Sequence, residues 1–113
     1  MKVKKIRSYS KYTKEAALLL GQLIQLARKE KSWSEIELAE RAGINKLTLR
    51  KIEKGDLNTA MGLVFEVATL VGIQLFDSGP SRLTSNLERV EDKLALLPKR
   101  IRKPTSGGVN DDF

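Results

Sequence analysis

The sequence predicts an all-α protein. Three observations carry that expectation. Apolar residues recur every three or four positions through most of the chain, and no stretch reads as a strong strand. Helix-starting residues precede these runs, and glycine or proline follows them. Apolar residues make up 41% of the 113 positions, enough for one modest core in one domain with tails.

The first helix is expected over about 14–31, capped by Thr13. Ala16, Leu20, Leu23, Ile24 and Ala27 share one face, and Leu19 and Leu26 widen it, so the helix is expected to be well buried. Gly21 lowers helix propensity by up to ~1 kcal/mol and marks close packing against a neighbour. A second helix starts at Glu35, because Ser34 and Glu37 form a capping box. Ile36, Leu38 and Ala39 are its inward candidates, and Gly43 ends it. Asn45 caps a third helix over 46–54, stopped by Gly55. A fourth, over about 59–71, buries Leu63, Val64, Val67, Ala68 and Val71, and 72–77 is extended or a short helical turn. "SGPS" at 78–81 is a breaker cluster. A last helix, 82–97, is capped by Ser81 and carries Leu83, Leu87, Val90, Leu94 and Leu97 at spacings of four and three. That seam is shorter than a sustained coiled coil requires. The segments are therefore a basic arm (1–12), a helical domain (13–77), a C-terminal helix (78–98), and a basic run with a disordered acidic tail (99–113).

The formal charge is +7, unevenly placed: residues 1–12 hold five basic groups and no acid. Such an arm favours a polyanion or simply solvates a free end. The chain has no cysteine and no histidine, which removes disulfides, thiolate metal sites and the commonest general base. "TSGGV" is not followed by Gly-Lys-Ser/Thr, so it is no phosphate loop. Neither an enzyme nor a metal or cofactor site is expected. The lysine-rich start lacks the apolar core of a signal peptide, and no run is long enough to span a bilayer, so a soluble, cytoplasmic protein is expected.

The informative stretch is "LAERAGINKLTLRKIEKG", 38–55. Ala39 is small enough for a second helix to cross the first. Gly43, four residues later, tolerates positive φ at the corner. Ile44, Leu49 and Ile52 can lock the inner side, while Lys46, Arg50, Lys51 and Lys54 occupy the outer one. This pattern resembles the helix-turn-helix family of phage-repressor and Xre type. The resemblance implies a five-helix, lambda-repressor-like domain with an extra C-terminal helix and flexible tails, whose second corner helix enters the major groove of double-stranded DNA. It places base contacts on Lys46, Leu47 and Lys51, with Asn45 and Arg50 at the margin. Lysine can donate to guanine, and leucine can pack on a thymine methyl. Thr48 and Lys54 are then phosphate candidates. The family often has Gln where this chain has Glu35, whose charge repels phosphate, so Ser34, Lys31 or the arm would have to compensate. Trp33 is expected to cover the first two helices rather than to stack on a base.

Beyond the corner, "KGDLNTAMGLVFEVATLVGIQLFD", "ERVEDKLALLPKRIRK" and the terminal "VNDDF" are similar to HipB-type antitoxins. That resemblance implies a homodimer that represses its own operon at an inverted-repeat operator and restrains a HipA-like serine/threonine kinase toxin. It makes Val71, Ile73, Leu75 and Phe76 dimer candidates, and leaves 73–97 to the dimer or the partner. Asp111, Asp112 and Phe113 are candidates for a partner-binding tail. A stand-alone Xre-type regulator and a protein-interaction module without DNA binding are the alternatives.

Overall fold

In the computed structural model, the described residues are 7–77 and 79–101, and they contain helices and no strand. The helices are α1 (Lys11–Glu30), α2 (Glu35–Ala42), α3 (Lys46–Glu53), α4 (Met61–Leu70) and α5 (Pro80–Ala95), with a 3-10 turn at Leu75–Asp77. The tail candidates Asp111, Asp112 and Phe113, and the first six residues of the arm, lie outside the described residues. The chain divides into two units, one ending at Asp77 and the other holding α5.

In the first unit, α3 packs against α1 and α2, and α4 packs against α2. Ile24 of α1, Leu38 and Ala39 of α2, Leu49 and Ile52 of α3, and Val67, Ala68 and Val71 form the core. Ile24, Leu38, Leu49 and Val67 are fully buried, each contributing ~1.5–3 kcal/mol by leaving water.

The predicted caps of α2 and α3 are present. The Glu37 amide donates to Ser34 Oγ at 3.1 Å, and the Ser34 amide donates to Glu37 Oε1 at 2.8 Å. The Thr48 amide donates to Asn45 Oδ1 at 2.7 Å. Gly43 sits at φ 70°, ψ 30°, in the left-handed region that ends α2 without a Cβ clash. Gly21 lets α1 touch the backbone of α3: an added Cβ would lie 2.6 Å from the Ile52 and Glu53 carbonyl oxygens.

Several expectations are corrected. Helix α1 starts three residues early, because Ser10, not Thr13, is its N-cap, with Oγ accepting from the Thr13 amide at 3.2 Å. It buries only Gly21, Ile24 and Arg28, while Ala16, Leu19, Leu23 and Leu26 are exposed. The Gly21 contact sets which side faces inward, and that side excludes every leucine of α1 except the half-buried Leu20. Ile36 and Leu63 are also exposed, since Leu38 and Val67 take the inward positions of their helices. Helix α4 starts at Met61 with no side-chain cap.

Among the described residues, the second unit is a single amphipathic helix with a short continuation. Pro80 occupies its first turn and Gly79 its N-cap, so Ser81 is not the cap. Proline suits that position, because its fixed φ is helical and its missing N–H has no partner there. No residue of α5 is buried. Leu83, Leu87, Val90, Leu94 and Leu97 all face solvent.

Candidate nucleic-acid interface

Helix α3 is two-sided. Leu49, Ile52 and Glu53 are buried, while Lys46, Leu47, Arg50, Lys51 and Lys54 are exposed. The inward set follows from spacing, since residues three and four apart share a helix face. Leu47 is 62% exposed, so it takes no part in the protomer's own core. Asn45 is exposed at the N-terminus, with Oδ1 engaged as the cap. Thr48 is half-buried beside the outer face.

What fixes α3 against the scaffold is a pair that sequence reasoning missed. Arg28 Nε donates to Glu53 Oε2 at 2.7 Å, and its Nη2 donates to Glu53 Oε1 at 3.0 Å. Its Nη1 donates to the Trp33 carbonyl at 3.0 Å. Both side chains are nearly inaccessible to water. The bonded Glu53 carboxylate, aided by its charge, raises the Arg28 pKa above its ordinary value against the opposing pull of burial. The signal was available: Arg28 continues the Gly21–Ile24 side of α1, and Glu53 follows Ile52. Nothing local links two residues 25 apart.

The α1–α2 loop and the end of α2 supply the neighbouring cations. Trp33 is half-buried against the core, as expected of a covering residue. The Arg41 guanidinium lies 4.2 Å from its ring centroid and Lys31 Nζ 5.3 Å. Lys31 is thus exposed but resting on an aromatic face. The Ser34 hydroxyl oxygen already accepts a cap bond.

Glu35, at the first position of α2, reaches α3. Its Oε1 accepts from Arg50 Nε at 3.2 Å and lies 3.9 Å from Lys46 Nζ. The sequence expectation of a carboxylate that merely repels phosphate is therefore incomplete. Lys51 and Lys54 have no ion pair among the described residues. Gln25, Glu35, Arg50, Glu53 and Lys54 line a small polar recess of about 200 Å³.

The structure brings Lys46, Leu47, Arg50 and Lys51 onto one exposed side of a short helix. It places the four dimer candidates less uniformly. Val71 is 4% exposed within the protomer's own core, and Ile73 and Leu75 pack half-buried against that core. Phe76 is 76% exposed, at φ 58°, with its ring edge-on to Phe65 at 6.5 Å.

Residues 24–77, which run from Ile24 in α1 through the corner and α4 to Asp77, match the helix-turn-helix family model. These residues are a helix-turn-helix domain. Helix-turn-helix domains are a common DNA-binding motif, and the match spans 54 of the 113 residues. Among curated proteins none matches the chain. Among solved structures, a HipB variant in its O2 20mer complex is similar at 22% identity and a TM-score of 0.49, over 70% of this chain and 99% of that one. Among the described residues, no helix of the protein is long and apolar enough to cross a membrane.

Proposed function

We propose that this chain is a sequence-specific transcriptional repressor that binds an inverted-repeat operator as a homodimer and serves as the antitoxin of a HipA-like serine/threonine kinase toxin. The observation that carries the DNA reading is the outer side of α3. Lys46, Leu47, Arg50 and Lys51 stand exposed on a helix whose inner side is held by Leu49, Ile52 and Glu53. In this reading Lys46 and Lys51 donate to guanine edges, Leu47 packs on a thymine methyl, and Asn45 and Arg50 reach bases at the margin of that surface. Thr48, Lys54, Ser34 and Lys31 meet phosphates and set the register. Two copies place their α3 helices about one helical turn, ~34 Å, apart. Phe76 and the α5 seam offer apolar surface for the dimer or the toxin, and the acidic-aromatic tail at Asp111, Asp112 and Phe113 is a second contact for the toxin. The antitoxin part rests on the sequence similarity to HipB-type proteins. A cytoplasmic setting follows from that role.

The test is binding to duplex DNA selected from a random pool. Lys51→Ala is expected to relax base preference at one position, whereas Lys54→Ala weakens all sequences alike. Equal, normal binding by both variants overturns the placement of the interface. Co-expression with a HipA-like kinase tests the second half: co-purification supports it, and separate elution removes it. The partial charge compensation of Lys46 and Arg50 by the single Glu35 carboxylate favours one competing reading, a protein-interaction module without DNA binding. Failure of the wild-type protein to select any sequence would establish that alternative.

A further inference from the structure

We infer that Glu35 is a positioning residue for DNA specificity: its carboxylate orients Arg50 for base reading and cancels surplus positive charge on α3. The inference rests on the DNA-binding reading above and deepens it.

Three observations converge. Glu35 Oε1 accepts from Arg50 Nε at 3.2 Å, which is a charge-assisted hydrogen bond from a neighbouring helix and not a chance proximity along one helix. The same oxygen is 3.9 Å from Lys46 Nζ, one turn before Arg50 on the same side of α3. The carboxylate also sits in the first turn of α2, behind the Ser34 capping box, where the helix dipole favours a negative charge and the backbone is held by two cap bonds. The backbone that carries the acceptor is thus held in place before any ligand arrives.

The consequence for Arg50 follows from guanidinium geometry. Its side chain is about half exposed and would otherwise sample many rotamers. With Nε–H committed to Glu35, the four N–H groups on the two terminal nitrogens stay available. Those two nitrogens form a planar fork, the shape that matches O6 and N7 of one guanine. The restraint removes rotamers before binding, so less freedom is lost when the base is met. Lys46, at 3.9 Å, is beyond hydrogen-bond distance and receives only charge compensation.

The consequence for the whole face is electrostatic. A carboxylate beside two of the four exposed cations reduces attraction to any phosphate backbone, which carries no sequence information. Indiscriminate binding weakens, and the contrast between operator and random DNA rises.

Glu35→Ala and Glu35→Gln separate the two effects. Both remove the charge, but only Gln retains an oxygen that can accept from Arg50 Nε. Binding is measured to the duplex that the wild-type protein selects from a random pool, to its single-base variants, and to a mixed-sequence duplex, over a range of salt. Both variants are expected to bind the mixed duplex several-fold more tightly than wild type, with a salt dependence steeper by about one unit of slope. Glu35→Ala is expected to lose about five- to hundredfold discrimination at one guanine position, while Glu35→Gln keeps most of it. In an Arg50→Ala background, Glu35→Ala should change discrimination no further. A thermal melt close to wild type for either variant excludes a folding artefact, since Glu35 lies outside the core. If the wild type selects no sequence, the repressor reading and this assignment fall together. If it selects one and Glu35→Ala discriminates as well as wild type, or loses discrimination equally with Arg50 absent, the assignment alone falls.

Discussion

Arg28 and Glu53 form a two-pronged ion pair, 2.7 and 3.0 Å, across the contact between α1 and α3. The third prong of Arg28 holds the Trp33 carbonyl, so one guanidinium joins the first helix, the loop after it and the end of the third. Burial of two charges costs several kcal/mol, and only this complete pairing offsets it. Arg28→Met alone strands the Glu53 carboxylate, and a loss of about 3–5 kcal/mol is expected in urea unfolding. The double variant Arg28→Met, Glu53→Leu should recover most of that loss, leaving about 1 kcal/mol from the unpaired Trp33 carbonyl. A double variant as unstable as the single one would show that shape, not charge, governs this contact.

Two glycines should respond oppositely to alanine. At Gly21 the new methyl would meet backbone oxygens at 2.6 Å, and backbone cannot swing aside. A net destabilisation of about 1–3 kcal/mol is expected despite the better helix former. Gly62, in the first turn of α4, has open space around it, so Gly62→Ala should be neutral or stabilise by up to ~1 kcal/mol. Thermal melts of the two variants decide the matter, and equal shifts would contradict the close α1–α3 approach.

Asn45 has a structural duty that can be separated from any contact with DNA. Asn45→Ala removes the acceptor for the Thr48 amide and should cost ~0.5–2 kcal/mol. Asn45→Ser keeps an N-cap oxygen and should restore stability. Should Ser restore stability but not operator affinity, the amide itself touches nucleic acid; should it restore both, capping is the whole role.

The α5 seam presents a linear array of apolar groups with no buried member. A sixteen-residue helix is marginal by itself in water. Leu87→Lys and Leu94→Lys together are expected to shift the protein from dimer to monomer in sedimentation equilibrium if this seam joins two copies. An unchanged dimer would move the interface to the surface around Phe76, and Phe76→Ser then becomes the decisive variant.

Local signals in the sequence proved legible because their causes are local. The Ser34–Glu37 box, the Asn45 cap and the Gly43 bend each depend on atoms within four residues, and each stands where expected. The start of α1 was harder because Ser10 and Thr13 are both competent caps, and the chain uses the earlier one. Which leucines of α1 turn inward depends on where α3 crosses it, which periodicity cannot show. The Arg28–Glu53 and Glu35–Arg50 pairs escaped for the same reason: each joins different helices, and only packing brings them together. On the interface itself, the division of α3 into Leu49 and Ile52 inside and four cations outside was readable from spacing alone.

The meeting of Gly21 with the Ile52 and Glu53 carbonyls leaves no side chain between the two backbones at that point. The tilt of α3 is consequently keyed by main chain and by its hidden residues, independently of what it displays. If the proposed DNA reading holds, positions 47 and 51 can therefore be exchanged without re-engineering the frame that carries them, whereas positions 46 and 50 must be exchanged together with Glu35.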